Sequence, residues 1–118
     1  MLRLALTALL LLATPALAAP EKRVWRVDSV IATQAGGNVV VQVKGAVQSG
    51  GWSHARLKQA HADGHTLVVE FVAQPPAAGA NVIEALLPVT ARLTIKARDM
   101  LTVKALGQAN EVTAQILH

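Results

Sequence analysis

From residue 23 onward, apolar and polar side chains alternate along most of the chain. In residues 23–32, Trp25, Val27 and Ile31 share one parity, while Arg26 and Asp28 take the other. Period-two alternation with β-branched residues predicts a strand with one buried face. Ala35-Gly36-Gly37-Asn38 follows as a turn. Residues 39–47 form the second predicted strand, with Val39, Val41 and Val43 on one face and Gln42 and Lys44 on the other. Gln48-Ser49-Gly50-Gly51 interrupts it, because paired glycines admit positive φ and close backbone approach.

Residues 52–62 and 65–73 flank Asp63-Gly64, and Asp-Gly between two alternating runs signals a hairpin. A two-residue Asp63-Gly64 loop would set Arg56 against Phe71 and Leu57 against Glu70, which brings charges onto the apolar face. A three-residue loop, Ala62-Asp63-Gly64, pairs His61 with His65, Leu57 with Val69, Ala55 with Phe71 and Arg56 with Glu70. Each face is then consistent, and Arg56–Glu70 becomes a favourable cross-strand pair. This register is the expected one, with Gly64 in the left-handed conformation.

Pro75 and Pro76 exclude a central strand from residues 74–80. Residues 81–87 read as a fifth strand stopped by Pro88. Residues 89–97 read as a sixth, with Leu93 and Ile95 inward and Arg92, Thr94 and Lys96 outward. Arg98-Asp99 turns the chain. A last hairpin buries Leu101, Val103, Ala105, Val112, Ala114 and Ile116, and its outer face pairs Thr102 with Gln115 and Lys104 with Thr113 across a Gly107-Gln108-Ala109-Asn110 turn. About seven short strands and no amphipathic helix predict an all-β domain. The expected architecture is an antiparallel β-sandwich of immunoglobulin-like or fibronectin-like arrangement, with a small β-barrel as the alternative.

The first 18 residues break the pattern. Met1-Leu2-Arg3 is basic, an apolar run extends to Ala13, and Ala16-Leu17-Ala18 presents small residues for a cut after Ala18. These are the parts of a secretory signal peptide, and the run is too short to span a bilayer. The expected mature chain is residues 19–118, a single domain that is periplasmic or secreted, with no transmembrane segment. The leader raises the hydrophobic content to 53%, and without it the share falls to close to half, an ordinary globular value. There is no cysteine, which excludes a disulfide scaffold, a thiol enzyme and a lipid-acylated first mature residue.

Chemistry-bearing residues are sparse. His61 and His65, facing each other in the expected register, would bring two imidazoles near enough to share a metal ion. Seven acids are scattered, and none forms a close sequence pair of the glycosidase kind. Ser53 and His54 are adjacent, so strand alternation sends them to opposite faces and away from a nucleophile–base pair. No catalytic residue and no cofactor is therefore expected. Arg92 and Lys96 share one face of a strand, with Lys104 nearby if the neighbouring strands pair, and such a stripe suits an anionic surface. It lacks interleaved aromatics, so no nucleic-acid partner is expected. Trp52, set after Gly50-Gly51, is either a packing residue or an aromatic anchor for a partner.

Around Val43-Lys44-Gly45-Ala46-Val47-Gln48-Ser49-Gly50-Gly51-Trp52-Ser53, with Leu57 and Phe71-Val72-Ala73-Gln74-Pro75-Pro76, the chain resembles small exported bacterial immunoglobulin-like domains of unknown function. That resemblance implies a single sandwich with a Gly-Gly-Trp turn after the second strand, and no activity. Exported immunoglobulin-like cysteine-protease inhibitors share the size and the all-β character, but their Asn-Pro-Thr-Thr-Gly-type loop is absent here. The expected function is a non-enzymatic binding or envelope-associated module with a protein partner in the cell envelope, using Gly50, Gly51, Trp52, Arg92 and Lys96. The alternatives are a protease inhibitor acting through the 48–52 loop, and a weak metal binder using His61 and His65.

Overall fold

A computed structural model describes residues 20–118. The predicted signal peptide, residues 1–18, lies outside the described residues. Eight strands account for most of the chain: β1 (Lys22–Arg23), β2 (Arg26–Ala35), β3 (Asn38–Ser49), β4 (Ser53–Asp63), β5 (Thr66–Gln74), β6 (Glu84–Lys96), β7 (Thr102–Leu106) and β8 (Glu111–Leu117). No helix occurs among the described residues. The all-β expectation is met.

The strands join in one hydrogen-bonded sheet in the order β1, β5, β7, β8, β2, β3, β6, with β4 on the other edge of β5. The sheet curls into a half-barrel, the form that fits the small-barrel alternative; two separate stacked sheets are not what the hydrogen bonds define. Its two ends, β4 and β6, approach each other without a ladder between them. Two seams are parallel rather than antiparallel: β5 with β7, and β2 with β8. The β2–β8 seam is short, joining only Ala32 to Ile116 and Thr33 to Leu117.

Valine dominates the interior, as β-branched side chains on a pleated surface should. Val24, Val39, Val41, Val43, Val69 and Val103 are fully buried, together with Phe71, the only phenylalanine. Each such burial is worth roughly 1.5–3 kcal/mol. No polar or charged residue is buried among those described.

Three local features depart from simple alternation. A bulge between Val27 and Ser29 inserts Asp28 and reverses the parity of β2. Val30 and Ala32 therefore face inward, while Ile31, expected inside, is 52% exposed. The bulge is held from outside: Asn110 Oδ1 accepts from the Val27 amide at 2.8 Å, and Asn110 Nδ2 donates to the Val27 carbonyl at 2.9 Å. Secondly, Pro88 does not stop a strand. It lies within β6, opposite Ala46, and β6 ladders only with β3. An edge strand tolerates proline where the missing N–H would face outward.

The third departure is the β4–β5 hairpin. Its turn is Gly64-His65, with Asp63 opposite Thr66, His61 opposite Val68 and Ala62 opposite Leu67. Gly64 is left-handed as expected (φ 61), and positive φ at the first central position alone suits a II′-type turn. An irregularity between Gln59 and His61 then shifts the register, so that Lys58 meets Glu70, Leu57 meets Phe71 and Arg56 meets Val72. One extra residue in β4 restores the inward face of Leu57 without the three-residue loop. The expected Arg56–Glu70 pair does not form. Glu70 bonds Arg23 at 3.1 Å, and Arg56 bonds Glu21 at 2.5 and 2.6 Å.

Candidate functional site

The Gly50-Gly51-Trp52 turn is pinned. The Gly50 amide donates to the Ile83 carbonyl at 2.9 Å, and Ser49 Oγ donates to the Gly50 carbonyl at 3.0 Å. Gly51 has φ +87, and a Cβ there would lie 2.8 Å from Pro76 Cβ and 3.0 Å from Val82 Cγ1. Glycine is required both by conformation and by space. Trp52 is half-buried and packs against the core cluster, so most of its indole serves packing.

Beside this turn the surface is apolar. Ile83 is 75% exposed and Leu86 54%, and Leu87 Cδ1 lies 3.9 Å from where a Gly50 Cβ would stand. The strand expected at residues 81–87 begins only at Glu84, and Ile83 stands just before it. The signal is present in part: Leu86-Leu87 puts adjacent apolar residues on both parities of a strand, so one of them must face outward.

The histidines are not brought together. His61 stands opposite Val68, and His65 occupies the turn, where its Nδ1 donates to the Asp99 carbonyl at 2.9 Å. Asp99 is itself left-handed (φ 63), a conformation aspartate tolerates better than most residues. The cross-strand imidazole pair expected from the three-residue loop is absent. No group of three or more His, Cys, Asp or Glu residues that could hold a metal occurs among the described residues.

Ser53 and His54 do meet, with His54 Nδ1 and Ser53 Oγ 3.0 Å apart. The expected divergence of neighbouring strand side chains fails because His54 has φ 54. The pair is exposed on both sides, and no acid hydrogen-bonds the imidazole among the described residues, so the third member of a hydrolytic triad is missing.

Arg92 and Lys96 project from the outer face of β6, opposite Gln42 and Asn38 of β3. Lys104 does not join them. It sits on β7 between β5 and β8, with its ammonium 3.7 Å from Glu111. The strongest electrostatic cluster lies elsewhere, where Glu21 meets Arg56 and, at 3.9 Å, Lys58. The Arg56 hydrogen bond, reinforced by the Arg56 and Lys58 charges, holds the Glu21 carboxyl below its ordinary 4.5.

A scan against protein-family models matches no family, and searches of curated proteins and of solved structures find no match.

Proposed function

We propose that the protein is an exported, non-enzymatic binding module of the cell envelope that engages a partner protein through its apolar end. The observation that carries this reading is the exposure of Ile83, Leu86 and Leu87 beside the pinned Gly50-Gly51-Trp52 turn. Large aliphatic side chains held outside a core are a feature of interaction sites. Here they rest on a turn that does not need to reorganise, which limits the ordering cost of association. The half-buried Trp52 contributes a rigid floor rather than a projecting anchor. The leader-like first 18 residues support export.

A photo-crosslinking residue at Leu86, in cells that express the full chain, tests the reading. The expected result is a discrete adduct with another protein, lost in an Ile83→Ser/Leu87→Ser variant that retains the parent's thermal midpoint. No adduct, or an adduct only with a second copy, overturns it. A panel of cysteine and serine proteases addresses the inhibitor alternative. Inhibition abolished by changes at Gln48 and Trp52 would replace the present reading with that one.

A further inference from the structure

The cations divide unequally between the two halves of the sheet. On the β1–β5–β4 side and on β7 all but Lys22 are matched among the described residues: Arg23 to Glu70, Arg56 and Lys58 to Glu21, and Lys104 to Glu111. Lys44, Arg92 and Lys96, on the outer face of β3 and β6, have no ion-pair partner among the described residues. No acid occurs in residues 29–35, 38–44 or 90–96, the three segments that build this face.

The register fixes the spacing of the charges. Lys44 stands opposite Thr90, one row beyond the Gln42–Arg92 row, and Lys96 stands opposite Asn38, two rows the other way. At about 3.3 Å per residue, these rows form a positive stripe roughly 20 Å long. Thr33, Gln42 and Thr94 stand between the cations and offer uncharged donors and acceptors. A depression of about 340 Å³ opens there, floored by Ile31 and Val40 and edged by Arg92.

We infer that this face binds an anionic glycan, a carbohydrate chain bearing carboxylate or similar groups. An extended row of charges matches a linear polyanion, and the interleaved hydroxyl and amide side chains match the hydroxyls between its charges. Nucleobases would find no aromatic to stack on. A lipid surface would find three cations and one exposed isoleucine, without the aromatic and leucine anchors that hold interfacial proteins.

Titrating the ¹⁵N-labelled protein with a polygalacturonate oligosaccharide tests the inference. Shifts should concentrate on outward-facing residues of β2, β3 and β6. Binding should weaken about tenfold between 50 and 200 mM salt, as counterion release by a few cations requires. Arg92→Gln/Lys96→Gln should lose at least tenfold in affinity, and Lys58→Gln should not. Equal binding by the double variant, equal shifts with neutral dextran, or tighter binding to anionic phospholipid vesicles or single-stranded DNA would overturn the inference. The titration uses purified protein alone, so its outcome is independent of the apolar end.

Discussion

Gly45 shows how much one missing side chain can decide. It sits within β3, where alternation makes it look like an ordinary strand position. A Cβ there would stand 2.1 Å from the Arg26 carbonyl oxygen and 3.0 Å from Phe71 Cε2. The β2 backbone and the only phenylalanine ring both occupy the space that the glycine leaves. Backbone cannot yield as a flexible side-chain tip can, so Gly45→Ala should destabilise the fold by about 3 kcal/mol or more. Gly64→Ala, where nothing lies within 4 Å but φ is +61, should cost only about 1–2 kcal/mol. Urea denaturation midpoints of the two variants check the order.

At the level of elements, legibility tracked local regularity. In the β7–β8 hairpin the pairs Thr102–Gln115 and Lys104–Thr113 are those that alternation predicts, because no residue is inserted. In the β4–β5 hairpin the same reasoning fails: an irregularity near Ala60 lets a two-residue turn coexist with an inward Leu57. The bulge at Asp28 misleads in the same manner, turning Ile31 outward. Bulges leave weak composition signals, and a single one flips every later side chain. The consequence for chemistry is direct, since the expected imidazole pair depended on that register. Adding Zn²⁺ or Cu²⁺ should therefore raise the thermal midpoint of the protein no more than that of His61→Ala. A larger rise in the parent would restore a role for His61 as a ligand.

Across the whole molecule, pairings distant in sequence had no local signature. Neither the parallel seams nor the tie from Glu21 across β5 to Arg56 and Lys58 could be read from neighbouring residues. That tie has a testable pH dependence. A carboxyl held below its ordinary 4.5 in the folded state stabilises the fold above that value, and the contribution fades as pH falls through the folded pKa. Parent and Glu21→Gln should thus differ in thermal midpoint at pH 7 and converge as the pH drops well below 4.5. A constant difference across that range would exclude the charge as its cause.

The β2–β8 seam, only Ala32–Ile116 and Thr33–Leu117 wide, also orders events in time. The β2–β3, β4–β5 and β7–β8 pairs join neighbours in the chain and can close early. The seam spans more than eighty residues, and such closures are slow because loop entropy is lost before any contact forms. A chain emerging N-terminus first must leave one edge of β2 open until Ile116 and Leu117 appear. Until Ile116 and Leu117 close the seam, that edge of β2 keeps unpaired backbone groups open to another strand.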